Sequence, residues 1–237
     1  MEISLVIPAY NEERYIGPCL DAVATVRGHF KEVVVVDNNS TDNTSHIAGG
    51  YEFVRVVREE RKGLTRARQT GLEACTGEYI AYVDADTRMD AAWVEKMHEL
   101  ITLYPDAVSW SGPAYYYDAP SRMWNVVLTL GWWLSAPLMY RAVGYMLYGA
   151  NFVLRRSAIE SIGGFDESVQ FYGEDMTLAK ELNSVGKTIF RMDFHIMGSA
   201  RRFVREGYVN TNIRYILNFI WPVIFGKPYD QSYTDIR

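Results

Sequence analysis

The feature that most restricts how this chain can fold is the alternation, through its first part, of short apolar runs with longer segments of helical period. Ile3-Ser-Leu-Val-Ile7 is an apolar run closed by Pro8, and Val33-Val-Val-Val36 is an unbroken β-branched run. Runs of that kind fill strands buried on both faces. Residues 53–57 and 79–83 give two more. Between them, segments 13–26, 64–75 and 91–103 predict helices, with Thr76-Gly77 and Pro105 as stops after the last two. Residues 37–42 predict a polar turn, with Ser40 or Thr41 capping the helix that follows. Strands that alternate with helices in this way predict an α/β fold, a mostly parallel central sheet flanked by helices.

Beyond residue 110 the pattern loosens. A strand is expected over 148–154, a short helix over 157–162, a break at Gly163-Gly164, and a helix over 176–185 with Gly186 as its stop. There is no repeat and no low-complexity linker, so the 237 residues are expected to form one domain of two halves, 1–110 and 111–237, sharing one core.

Composition excludes some classes of function. A formal net charge of -5 argues against a general nucleic-acid binder. Two cysteines, Cys19 and Cys75, both in helical segments, make no disulfide framework and fit a reducing, cytoplasmic setting. The N-terminal run reads as a strand followed at once by Pro8 rather than as a signal peptide. Residues 126–139 are apolar and contain Trp132 and Trp133. Their length, and the interruptions at Gly131 and Pro137, predict that they do not span a membrane. A second apolar run, 216–225, is broken by Pro222 and is read the same way.

In open parallel sheets, ligands bind beyond the carboxyl ends of the strands. Three polar clusters fall there: Tyr10-Asn11-Glu12, Asp37-Asn38, and Asp84 with Asp86. Residues two apart at a strand end project to one side, so the carboxylates of Asp84 and Asp86 can face a single site. Such a pair suits Mg²⁺ or Mn²⁺, which accept few protein carboxylates and complete their shell with diphosphate oxygens and water. The plainer reading of Asp84-Ala-Asp86 is a solvated turn that ends a strand.

These clusters belong to a longer ordered set: Val6-Ile-Pro-Ala-Tyr-Asn-Glu12, Val35-Val-Asp-Asn-Asn-Ser-Thr-Asp42, Gly63 through Gly71, and Gly77-Glu-Tyr-Ile-Ala-Tyr-Val-Asp-Ala-Asp86. Gly149-Ala-Asn-Phe152, Gly163-Gly-Phe-Asp166 and Gly173-Glu-Asp175 follow. In this order, over about three quarters of the chain, they resemble the family 2 glycosyltransferases, which have the GT-A fold. The resemblance implies a nucleotide-sugar-binding half over 1–110 and an acceptor-binding half over 111–237. Pro8, Tyr10 and Glu12 fall where the family holds base and ribose, and Asp37 and Asn38 where it holds the base. Many members have Asp where this chain has Asn38. An Asn oxygen still accepts the N–H of uracil, so UDP is the expected nucleotide. Arg68 is a candidate contact to base or phosphates, or else an exposed helix cation. Asp84 falls at the ribose or metal contact, and Asp86 at the metal ligand proper.

Glu174-Asp175 resembles the family's acceptor-side acidic pair, with Asp175 as general base and Glu174 as support. The same two residues also suit a helix N-terminus through its dipole. Arg201 and Arg202, in Ser199-Ala-Arg-Arg202, are diphosphate candidates because the planar guanidinium matches phosphate. Some relatives carry Gln-x-x-Arg-Trp in this region, which this chain lacks. His195 is a candidate further metal ligand or a structural histidine. The aromatic stretch 124–148 admits three readings: core, an acceptor-sugar platform, or a bilayer contact shared with 215–225, which Arg214 and Lys227 flank.

The expectation is therefore an inverting, metal-dependent glycosyltransferase. Its partners would be a nucleotide-sugar donor and a sugar or lipid-linked acceptor, without nucleic acid, and its cofactor Mn²⁺ or Mg²⁺. It would work in the cytoplasm, at the inner face of the cell membrane where envelope polysaccharide or glycolipid is built. The alternatives are a nucleotidyltransferase, against which the absence of a Gly-rich basic loop after the first strand argues, and a catalytically silent scaffold.

Overall fold

The computed structural model describes residues 1–169, 173–225 and 229. Lys227, expected to flank the second apolar run, lies outside the described residues. The first half forms β1 (Ile3–Ala9), α1 (Ile16–Val26), β2 (Glu32–Asp37), α2 (Thr44–Gly49), β3 (Val54–Arg58), α3 (Leu64–Ala74), β4 (Tyr79–Val83) and α4 (Ala91–Leu103). Strands β1 and β4 are buried at every position. The continuous apolar runs therefore mark strands covered by helices on both faces.

The second half adds β5 (Ala107–Ser111), β6 (Ala114–Tyr116), α5 (Arg122–Val143), β7 (Asn151–Arg155), α6 (Arg156–Ser161), α7 (Glu174–Val185), β8 (Lys187–Phe190), β9 (Ile196–Gly198), α8 (Arg201–Glu206) and α9 (Tyr208–Phe225). Seven strands form one sheet in the order β3-β2-β1-β4-β7-β5-β8, and β6 and β9 pair separately. Among the described strands of this sheet β7 alone runs against its neighbours, β4 and β5, and the other pairings are parallel. One core cluster, with Leu20, Trp93 and Trp110, packs against one face of the sheet. A second, with Leu72, Phe152 and Leu182, packs against the other.

Two expectations are corrected. Ser40 and Thr41 do not cap α2: its N-cap is Asn43, which makes no side-chain cap bond. The Ser40 hydroxyl instead accepts the Asn11 N–H at 3.0 Å, and the Thr41 N–H donates to Asn11 Oδ1 at 2.8 Å. These bonds fasten the loops after β1 and β2 to each other. The larger correction concerns the first apolar run. Gly131 and Pro137 do not interrupt it but lie within one helix of 22 residues, α5, long and apolar enough to cross a membrane. Pro137 leaves the Trp133 carbonyl without an in-helix donor, and Trp133 is exposed, where that loss is tolerated. Pro222 likewise lies inside α9.

Candidate active site

The carboxyl ends of β1, β2 and β4 lie side by side, as the parallel register requires: Ala9 pairs with Asp37, and Val6 with Tyr82. The loops that leave them turn into one cleft of about 510 Å³. Its walls include Pro8, Glu12, Arg68, Asp84 and Asp86 from the first half, and Glu174, Asp175, Arg201 and Arg202 from the second. Residues up to 189 positions apart thus share one space: Arg201 Nη1 and Nη2 donate to the Glu12 carboxylate at 2.7 and 2.6 Å.

Asp84 and Asp86 both face the cleft across the turn that ends β4. The backbone carbonyl of Asp84 accepts the Thr87 hydroxyl at 2.7 Å, and that of Asp86 accepts the Tyr117 hydroxyl at 3.1 Å. Arg201 Nε is 2.9 Å from Asp86 Oδ2. Burial pushes the Asp86 carboxyl up to about 7 against the pull of Arg201, and Asp84 and Glu12 add to the push. Burial also raises Asp84, with Arg68 opposing it. Glu12 is buried, Asp86 nearly so and Asp84 partly exposed, and the three carboxylates offer the oxygen donors that a hard cation takes. Among the described residues no cluster of three or more His, Cys, Asp and Glu could hold a metal by itself. The two aspartates fit a cation whose remaining ligands come from a bound diphosphate.

Arg68 differs from the exposed helix cation weighed above. It is 1% exposed on α3 and reaches into the second half. Its Nη1 donates to Glu174 Oε1 at 3.2 Å, its Nη2 donates to the Gly149 carbonyl at 2.8 Å, and Asp84 lies 3.9 Å away. A Cβ on Gly149 would stand 3.0 Å from Arg68 Nη2, so the glycine lets its backbone approach the guanidinium. Glu174 and Asp175 begin α7 after Gly173, which has φ 81°. Burial, and then the charge of Asp175, push Glu174 up to about 8. Burial raises Asp175 as well, and its Oδ1 accepts the Met176 N–H at 2.8 Å.

Asp37 is buried, and its Oδ1 accepts the Ser40 N–H at 3.0 Å. Asn38 is buried, and its amide is spent on the loop before α3: Nδ2 donates to the Arg61 carbonyl at 2.8 Å, and Oδ1 accepts the Gly63 N–H at 2.8 Å. Tyr10 is not among the cleft walls, and its hydroxyl is 2.6 Å from Lys62 Nζ. Arg202 pairs with Glu206 at 2.8 Å. His195 is exposed, its ring 4.6 Å from that of Tyr115, and the structure does not bring it into the cleft. Tyr15, which lies under the Arg201 guanidinium at 4.4 Å, carried no recognisable signal in the sequence. Neither did Tyr116 and Tyr148, which line the cleft.

Away from the aspartates the cleft becomes apolar. Leu128, Trp132 and Met139 of α5 face Tyr215 and Phe219 of α9 across it. Trp132 stands edge-on to Tyr148 at 4.9 Å, so this wall continues into the core.

Comparison with known proteins gives a consistent picture. A family model described as glycosyl transferase family 2 matches residues 4–163. The uncharacterized glycosyltransferase YibD of Escherichia coli is 23% identical over 99% of this chain and 72% of its own length. Other curated relatives match over 40% to 78% of this chain, and the matched part spans 15% to 41% of their own lengths. Among solved structures, the mannosyltransferase PcManGT from Pyrobaculum calidifontis, in complex with GDP-Man and Mn²⁺, superposes with a TM-score of 0.69 at 20% identity, covering 96% of this chain and 65% of that one. S. aureus TarS 1-349 in complex with UDP-GlcNAc superposes with a TM-score of 0.63 at 21% identity, covering 85% of this chain and 59% of that one. The fold is that of the GT-A glycosyltransferases.

Proposed function

The chain belongs to glycosyl transferase family 2, and on that premise we propose that it transfers a glycosyl unit, with inversion, from a UDP-sugar to an acceptor hydroxyl with the help of Mn²⁺ or Mg²⁺. The proposed acceptor is a sugar or lipid-linked glycan of envelope polysaccharide or glycolipid synthesis. The observation that carries this reading is that Asp84 and Asp86 share one cleft with Asp175, an acidic residue from the other half of the chain.

In this reading Asp84 and Asp86 would hold the cation, and Arg201 and Arg202 would meet the diphosphate. Held there, such a cation would supply neutralisation of the charge that builds on the departing diphosphate. The acceptor oxygen attacks the anomeric carbon from the side opposite the leaving group. One C–O bond forms as the bond to the diphosphate breaks, and the acceptor proton passes to Asp175. A carboxylate raised by burial is a stronger base than one in water, which suits that task. Arg68 holds Glu174 beside Asp175, fixing the floor on which the acceptor rests. Because Asn38 Oδ1 already accepts the Gly63 N–H, base recognition by this side chain would use its second lone pair.

The similar structures with GDP-Man and with UDP-GlcNAc offer two donor chemistries. A thermal-shift screen of UDP- and GDP-sugars with Mn²⁺ decides between them, followed by product analysis with the stabilising donor. Stabilisation by a UDP-sugar, dependent on the cation, is expected. No response to any nucleotide-sugar would refute the reading.

A further inference from the structure

Two helices beside the cleft carry apolar stripes that nothing among the described residues covers. On α5, Met123, Val126, Val127, Leu130, Trp133, Leu134 and Leu138 are exposed, from 41% to 72%. Their spacing of three and four residues places them on one face. On α9, Val209, Ile213, Ile216, Ile220 and Ile224 form a second such stripe. Only 11% of the most apolar window of α5 is buried, so α5 is not the core helix of a soluble fold. Its opposite side is fixed to the domain by Leu128 and Ala136, both buried, and by Trp132 packed on Tyr148. With its middle packed on the domain, α5 has only its other side to offer to a surface.

Charge indicates what covers this face. The protein as a whole carries -5, yet residues 119–159 and 207–229 contain no Asp or Glu. Arg122 and Arg141 stand exposed at the two ends of α5. The aromatics on these two helices are Trp124, Trp132, Trp133, Tyr140, Tyr208, Tyr215, Phe219, Trp221 and Phe225. An apolar stripe, arginines at its ends, local absence of acid and a concentration of Trp and Tyr together match an anionic bilayer surface.

We propose that the α5–α9 face is a docking surface for an anionic lipid membrane, on which the protein rests with both stripes in the headgroup region. Ser135 and Ile216 are exposed and also line the cleft. Its apolar end therefore opens onto the docked face.

The test is cosedimentation of the purified chain with vesicles of phosphatidylcholine containing phosphatidylglycerol, and with phosphatidylcholine alone, without donor or acceptor. Failure of membrane binding is thereby distinguished from failure of the transfer reading. Wild type is expected to sediment with the anionic vesicles. Leu134→Glu combined with Leu138→Glu and Ile220→Glu, none of them a cleft residue, should lower the partition coefficient by about tenfold or more. Arg122→Gln and Arg141→Gln should each reduce the preference for anionic vesicles by about fivefold. An unchanged melting temperature shows that the triple variant folds, and Leu134→Ser with Leu138→Ser serves if it does not. Wild type left in the supernatant, or equal sedimentation of wild type and a folded variant, overturns the proposal. So does a wild-type dimer that the variant dissociates, which would assign the face to a second copy of this chain.

Discussion

Arg201 Nε lies 2.9 Å from Asp86 Oδ2, so a cation supplied by the chain itself already sits on the carboxylate proposed to hold a metal ion. The remaining nitrogens of the same guanidinium grip Glu12, and its plane covers Tyr15. Glu12 closes the first strand's loop and Asp86 the fourth's, while Arg201 begins α8 near the end of the described chain. One side chain thus ties the start of α8 to two distant loops and pairs with two of the cleft's carboxylates. In the proposed reading a divalent cation at Asp86 would compete with this guanidinium, and a diphosphate would offer the displaced Arg201 a new bidentate partner.

Arg201→Gln separates those two effects. Removing a positive charge a few ångströms from the cation site is expected to tighten binding of Mn²⁺ alone by about tenfold. Binding of UDP in saturating Mn²⁺ should weaken by a similar factor, because the diphosphate loses its guanidinium. Calorimetry on wild type and Arg201→Gln measures each step. Equal Mn²⁺ affinity in the two proteins would mean that Arg201 and the metal do not compete.

The two ends of the polar cleft should fail differently. Asp86→Ala is expected to abolish cation-dependent donor binding, whereas Asp175→Asn should bind UDP and Mn²⁺ as wild type does while transfer falls by about 10²-fold or more. Titration of each variant with UDP and Mn²⁺, followed by turnover with the donor found by screening, makes the comparison. Normal turnover by Asp175→Asn would remove it as the base.

Glu174 predicts an unusual pH dependence of stability. Burial raises its carboxyl in the folded chain from 4.5 to about 8, so between these values the folded state holds a proton that the unfolded state has released. Stability contributed by this group is therefore complete below pH 4.5 and falls as pH rises towards 8. Glu174→Gln keeps a neutral side chain and should lose this slope, gaining melting temperature relative to wild type as pH rises from 5 to 8. Parallel slopes for the two proteins would place the raised carboxyl elsewhere.

The parts legible in the sequence were those set by local pattern. β1, β2 and β4 were visible as apolar runs because both faces of these strands are buried, and the carboxylates at their ends followed from strand geometry. β5 escaped because Ser109 and Ser111, both buried, break its apolar run, and the Ser111 hydroxyl finds its partner at the Asn151 carbonyl. The length of α5 escaped for a different reason. Gly131 and Pro137 are local breakers, and the packing of Leu128 and Ala136 against the domain outweighs them. The burial of Arg68 could not be read from α3 at all, since its partner Glu174 is 106 positions away.

Close approach of backbones gives a prediction independent of chemistry. A Cβ on Gly112 would collide with the Phe194 and Arg191 carbonyls, which belong to the turn between β8 and β9 and cannot give way as a side chain would. Gly112→Ala should destabilise by about 2 kcal/mol or more. Gly28→Ala, where nothing lies within 4 Å, should be close to neutral. Urea melts of the two variants test the contrast, and similar midpoints would mean that the turn relaxes freely.

Arg68 joins the halves, so removing it should cost more than one bond. Its guanidinium is buried against Glu174, the Gly149 carbonyl and, more distantly, Asp84. Arg68→Met leaves that carbonyl without its donor and Glu174 without its counter-charge, a loss of about 3–5 kcal/mol by comparison with other broken buried pairs. Glu174 has an alternative, because burial already favours its protonated form. Part of the loss should therefore be absent at low pH and return as pH rises. Arg68→Met with Glu174→Gln should recover stability relative to Arg68→Met alone at pH 8, and the two should converge near pH 5. Turnover should not recover with stability, since neither replacement restores the Arg68–Glu174 contact beside Asp175. Chemical denaturation of the four proteins of the cycle at both pH values measures the coupling, and strictly additive losses at pH 8 would show that Arg68 does not act through Glu174.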